Sequence, residues 1–247
     1  MFACELKKGL TSANSRDFLE RVLSQPLTTY SSRLQALGFE GLERVLDAGC
    51  GFGQWSVAMG LQNQVVDAID VDDERIGVLK TMVEQTGLGG INPMQASLET
   101  YDCDVKYDAI FCYSAVYMTD IPRSIRNLTS KLAAGGIIYF NTNDLGWYLY
   151  NIVSPHNDAD DFSSQEFGIA AILNTLKWLY GEGRSSSFPV VLTQRNFFSE
   201  LRKAGLSIVA YGPDGSINFS QGRTRSFFAG EFMGVTSVYE VLCTKDA

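Results

Sequence analysis

The chain has 247 residues, 45% of them hydrophobic and 19% charged, which suits one large folded domain and excludes wholesale disorder. A formal net charge of −8 argues against a broad nucleic-acid-binding surface, while leaving room for a local basic patch. No apolar run reaches bilayer-spanning length and MFACELKKGL lacks a signal-peptide hydrophobic stretch, so a cytoplasmic chain with no membrane partner is expected. Cys4, Cys50, Cys103, Cys112 and Cys243 contain no CxxC pair, which predicts reduced thiols and no zinc site.

Residues 15–37 read as helical, interrupted near Pro26. Arg44-Val45-Leu46 is a short buried strand. Asp47-Ala48-Gly49-Cys50-Gly51-Phe52-Gly53 is then a strand-to-helix turn, and a helix follows from Gln54. Open α/β sheets bind ligands just outside the carboxyl ends of their strands, at turns of this kind. A second strand ends at Asp70, and Asp73 is a candidate cap for a helix that Gly87 closes. Strands follow at 91–95, 107–112 and 137–140, the last entered through a turn at Ala133-Ala134-Gly135-Gly136, with a helix beginning at Pro122. The alternation predicts a doubly wound, mostly parallel α/β sheet of seven strands.

From about Asp144 to Pro189 the alternation stops. Aromatics (Trp147, Tyr148, Tyr150), a polar loop and a helix over 169–180 read as a helical cap inserted over the sheet edge. A helix at 195–204, a strand at 206–211 and a last strand at 236–244 complete the core. The expected organisation is an N-terminal helical segment 1–40, a ligand-binding core 41–143, a cap 144–190 and the end of the core sheet 191–247.

Asp70 lies 21 residues after Gly49, at the spacing where an acid binds ribose hydroxyls in dinucleotide folds. Asp72 and Asp73 are better read as helix-cap acids. The spacing G-x-G-x-G, rather than G-x-G-x-x-G, and the acid at Asp47 disfavour a pyrophosphate and favour a cationic tail on a nucleoside.

VLDAGCGFG resembles the first motif of class I S-adenosylmethionine-dependent methyltransferases. AID ending at Asp70, QASLE (95–99), YDAIFCYSAVYM (107–118) and LAAGGIIYF (132–140) follow in the family's order. The resemblance covers about residues 40–142 and implies a Rossmann-like methyltransferase fold with S-adenosyl-L-methionine as cofactor. It places Gly49, Cys50, Gly51 and Gly53 against that cofactor, with Asp47 near its amino-acid end and Asp70 on the ribose. Ser97 and Leu98 flank the adenine, Ser97 standing where the family often has an aspartate, and Val71 is a further cofactor contact. Cys112 lies under the methionine portion.

The implied reaction is methyl transfer to oxygen or nitrogen of a small polar acceptor, a sugar or sugar conjugate being the preferred class. His156, the only histidine, is the candidate base, weighed against an indifferent loop histidine. Tyr117 is a candidate catalytic group. Tyr113, Trp147, Tyr148 and Arg223 are candidate substrate contacts, each weighed against packing or an ordinary surface role. Asp158, Asp160 and Asp161 read as solvated loop acids, so no metal is assigned. The competing readings are a nicotinamide-dependent oxidoreductase on a related fold and a non-catalytic cofactor-binding module.

Overall fold

The computed structural model describes residues 6–154, 158–183, 185 and 187–245. Helices α1 (Ala13–Leu23) and α2 (Leu27–Leu37) precede β1 (Arg44–Ala48), α3 (Gln54–Gly60), β2 (Val65–Asp70), α4 (Asp73–Thr86) and β3 (Ile91–Gln95). Then come β4 (Tyr107–Tyr113), a 3₁₀ turn at Val116–Met118, α5 (Ile121–Lys131) and β5 (Leu132–Asn143). The cap region holds α6 (Leu145–Val153) and α7 (Ser164–Leu179). The chain closes with α8 (Gln194–Lys203), β6 (Leu206–Pro213), a small hairpin of β7 (Glu231–Phe232) and β8 (Val235–Thr236), and β9 (Val238–Lys245).

The seven-stranded sheet has the order β3-β2-β1-β4-β5-β9-β6. Only β9 runs antiparallel, between β5 and β6. Side chains alternate faces along a strand, so consecutive apolar residues serve two cores. On one face Leu46, Ile110, Cys112, Ile138 and Phe140 pack with α5 and α8 through Ile125, Leu128, Phe197 and Leu201. On the other, Val45, Phe111 and Tyr139 pack with α2 and α3 through Leu34, Leu37, Trp55 and Met59.

The N-terminal helices are therefore part of the packing. α2 lies in the second core, and the segment through α1 sets Leu6, Leu10 and Leu19 against Cys50, Phe52, Ile76 and Leu79. Asp72, not Asp73, accepts from the Arg75 amide and caps α4. Ala133–Gly136 is an irregular entry within β5, with Gly135 at φ 71°, rather than a turn before it. The aromatics after Asp144 belong to α6, whose tight fit shows at Gly146: a Cβ there would stand 2.4 Å from the Val235 carbonyl oxygen. Among the described residues no helix is long and apolar enough to cross a membrane, and Cys50, Cys103, Cys112 and Cys243 are free.

A buried ionic cluster joins α2 to the carboxyl edge of the sheet. Arg33, Asp214 and Glu240 have fully buried side chains. Arg33 pairs with Asp214 at 2.9 Å and with Glu240, and the Tyr139 hydroxyl donates to Glu240 at 2.7 Å. Asp214 also accepts from Tyr113, Asn141 and the amides of Phe227 and Phe228. Removing the one cation would strand two carboxylates away from water. Arg33→Met should cost about 3–5 kcal/mol of unfolding free energy in urea denaturation; a loss below about 1 kcal/mol would show that the cluster does not hold the edge.

Candidate functional site at the carboxyl edge of the sheet

The glycine turn is sewn to the end of β2. The amides of Gly49 and Cys50 both donate to the Ile69 carbonyl, at 2.8 and 2.9 Å. The Gly51 amide donates to one oxygen of the Asp70 carboxylate at 2.9 Å, and the Asp72 amide to the other at 3.0 Å. All three turn glycines have positive φ, but they are needed for different reasons. A Cβ on Gly49 would stand 2.3 Å from the Ala115 Cβ, and one on Gly53 would stand 2.2 Å from Leu79. Those two serve close packing. At Gly51 a Cβ would meet nothing within 4 Å, so open space lies there, next to the amide that the Asp70 carboxylate holds.

Asp47 is buried under this turn and accepts from the Ser56 hydroxyl at 2.6 Å. Burial, with the nearby charge of Asp70, pushes its carboxyl up to about 7 despite the Ser56 hydrogen bond. Val71, directly after Asp70, is 62% exposed; it puts an apolar face at the rim of an otherwise buried strand end. The Ser97 hydroxyl bonds to Glu99, and Leu98 is buried with its carbonyl accepting from Asn127. Cys50 and Cys112 are buried thiols whose ionisation burial drives well upward, an environment that favours the protonated form.

The N-terminal segment roofs the turn. Phe18 of α1 packs on Phe52 at 5.5 Å, and the Arg75 guanidinium lies 5.9 and 5.6 Å from the centres of those two rings. The cap is tied to this roof: the Asp161 carboxylate accepts from the amides of Ala13 and Asn14, at 2.8 and 2.9 Å, at the start of α1. Asp158 likewise accepts from the amide and hydroxyl of Ser164, at the start of α7. These loop acids, expected to be merely solvated, serve helix N-termini. No group of three or more His, Cys, Asp or Glu among the described residues could hold a metal ion.

Beyond β4, Ser114 has φ 55°, in the left-handed region that side chains avoid. Its amide and hydroxyl both donate to Asn141, at 3.0 and 2.9 Å. Strain of this kind persists where surrounding structure enforces it. Asn141, Thr142, Asn143 and Asp144 are four buried polar residues in succession at the end of β5. Burial pushes the Tyr117 phenol up to about 12, countered in part by the side chains of Asn143 and Ser114. None of these β5 residues, nor Ser114, was singled out from the sequence. The polar run NTND directly after the apolar GIIYF was the available signal.

The candidate substrate contacts fall apart. Tyr113 gives its hydroxyl to Asp214 at 3.2 Å and packs among Trp55, Phe111, Phe227 and Phe228. Tyr148 is fully buried with Ala171 and Val191, and Trp147 packs edge-on against Tyr148 and Phe167. Both aromatics help to build the cap: Tyr148 is shut away from any acceptor, while Trp147 is half-buried. Arg223 lines a surface depression with Thr28, Thr29, Ser32 and Arg225. His156 lies outside the described residues.

Residues 45–136 match the family model described as "Methyltransferase domain". A ubiquinone biosynthesis O-methyltransferase of Rickettsia prowazekii (strain Madrid E) is 30% identical over 100 residues, 40% of this chain and 39% of that protein. The matches span 34% to 53% of the length of the curated relatives. Among solved structures, an S-adenosylmethionine-dependent methyltransferase from Clostridium acetobutylicum ATCC 824 superposes with a TM-score of 0.60 at 14% identity, covering 94% of this chain and 96% of that one. Magnesium protoporphyrin IX methyltransferase from Synechocystis PCC 6803, solved with bound SAH, gives 0.58 at 15% identity, covering 99% and 93%.

The raised Asp47 ionisation has a stability consequence. An unfolded aspartate ionises near about 3.9, the folded one at about 7. Between those values the native state holds the extra proton, so stability falls as pH rises through that window and levels off above it. Asp47→Asn should flatten this slope in urea denaturation followed across the window; an unchanged slope would place the titration elsewhere. Residues 45–136 of this chain are thus similar to a methyltransferase domain, and the chain as a whole has the fold of solved S-adenosylmethionine-dependent methyltransferases.

Proposed function

We propose that the chain binds S-adenosyl-L-methionine at the glycine turn and transfers its methyl group to an oxygen of a small acceptor. The observation that carries this reading is the Asp70 carboxylate, fixed by the Gly51 and Asp72 amides at the carboxyl ends of β1 and β2. Each carboxylate oxygen keeps a lone pair, so Asp70 can accept from both hydroxyls of a ribose. The open space at Gly51 lets a ligand lie against backbone. Two carboxyls, Asp47 and Asp70, flank the turn; their acceptor oxygens suit the ammonium of an amino-acid tail and give the diphosphate of a nicotinamide cofactor no donor. In this arrangement Asp47 faces the amino-acid end, while Val71, Ser97 and Leu98 border the adenine.

When bound, S-adenosylmethionine supplies an electrophilic methyl on a good leaving group. The protein is left to position the acceptor and exclude water. Gly49, Gly51 and Gly53 shape the floor, and the buried thiols of Cys50 and Cys112 wall it. Phe18, Arg75 and the Asp161 tie close the roof. Tyr117 stays protonated near neutral pH, which makes it a hydrogen-bond donor that orients the acceptor rather than a base. His156 remains the candidate for taking the acceptor's proton.

Oxygen is preferred over nitrogen because the curated relatives are named O-methyltransferases. A sugar acceptor draws no support from the site, since Trp147 and Tyr148 are committed to cap packing.

Asp70→Ala should weaken S-adenosylmethionine binding on the order of 100-fold by calorimetry, the loss of two hydrogen bonds to a charged acceptor. Wild-type affinity would remove the ribose role. Tyr117→Phe should lower kcat about tenfold in transfer of labelled methyl to a pool of small hydroxylated compounds, with cofactor affinity retained. An unaltered kcat would reduce Tyr117 to a wall.

A further inference from the structure

A depression of about 210 Å³ is lined by Thr28, Thr29, Ser32, Arg223 and Arg225. It brings together three hydroxyls and two guanidiniums in a chain of net charge −8, and no carboxylate lines it. Arg225 has a neutral partner, donating to the Gln25 side-chain oxygen at 2.9 Å, and Arg223 forms no ion pair among the described residues. Such donors match a tetrahedral oxyanion, which offers several charged acceptors at once.

The arginines do not hang on a loose loop. The fully buried Arg33, next in sequence to Ser32, donates from its guanidinium to the Arg225 carbonyl at 3.1 Å. Its Nε is buried without a partner. Asp214 accepts from the Phe227 and Phe228 amides, and the Phe227 ring stacks on Tyr30 at 5.5 Å. The Thr224 hydroxyl donates to the Gly215 carbonyl at 2.8 Å. The loop is thereby held in place before any ligand arrives, which lowers the entropy lost on binding.

The position is also informative. β6 ends at Pro213 on the edge where β5 ends, because both run opposite to β9. From there a hydrogen-bonded chain runs from Ser114 through Asn141 and Asp214 to Arg33 and the Arg225 backbone. The depression thus shares the carboxyl edge with the candidate active site. α2 starts beside it with Pro26 as a cap that contributes no side-chain hydrogen bond, so the helix adds partial positive charge to the cationic cluster.

We infer that this depression is a binding site for a phosphate group, borne by a small acceptor molecule or free in solution. The acceptor-borne case rests on the methyl-transfer reading; the site itself does not. The test titrates the full chain, uniformly ¹⁵N-labelled, with inorganic phosphate and separately with phenyl phosphate, and follows the amide shifts. Arg223→Gln, Arg225→Gln and the double variant run beside it, with Thr28→Val as a milder control. The expected result is saturable shifts confined to residues 27–33 and 222–226, with affinity falling about tenfold per arginine removed. Tighter binding of phenyl phosphate assigns the group to an acceptor; equal affinities assign the site to free phosphate. Shifts scattered over all exposed Lys and Arg, or undiminished in the double variant, would overturn the inference. S-adenosylhomocysteine affinity on the same samples tests the methyl-transfer reading separately.

Discussion

A single carboxylate organises the reaction edge of this molecule. Asp70 ends β2, and its two oxygens are held by amides from two different segments, the glycine turn after β1 and the start of the loop into α4. That bidentate grip fixes the turn relative to the neighbouring strand and holds the carboxylate on the Gly51 amide, where the backbone borders open space. Without it the turn would keep the Ile69 carbonyl, its internal bond from the Gly53 amide to the Cys50 carbonyl and close packing, but would lose its tie to the Asp70 side chain. Everything proposed about ligand choice depends on that fixed negative charge beside a backbone bare of side chains.

Around this point the rest of the chain supplies enclosure and rigidity. The N-terminal segment, which lies far from any catalytic motif in sequence, roofs the turn through Phe18, Phe52 and Arg75. Asp161 ties the cap to the same roof by capping α1. On the opposite side the Arg33 cluster pins the 214–228 loop to the ends of β4, β5 and β9.

Much of this was legible in the sequence. The apolar runs VVDAID and YDAIFC matched β2 and β4 because parallel strands are buried on both faces and show as near-continuous hydrophobic stretches. The glycine turn and Asp70 stood out because positive φ and close approach restrict residue choice so sharply. What escaped were roles decided by distant partners. Nothing local marks Arg33 as an ion-pair centre, since Asp214 and Glu240 are 181 and 207 residues away. Tyr148 looks like a stacking residue until Ala171 and Val191 are brought onto it. Asp161 reads as a loop acid because the amides it serves lie 147 and 148 residues earlier. Ser114 carries its strain in backbone geometry, which no composition reveals.

The most direct measurement is a crystal structure of the chain grown with saturating S-adenosylhomocysteine. The account predicts the nucleoside seated over Gly51, both ribose hydroxyls within hydrogen-bonding distance of the Asp70 carboxylate, and the amino-acid tail on the Asp47 side. A nucleoside bound elsewhere, or an empty turn with Asp70 still gripping only its two amides, would contradict it.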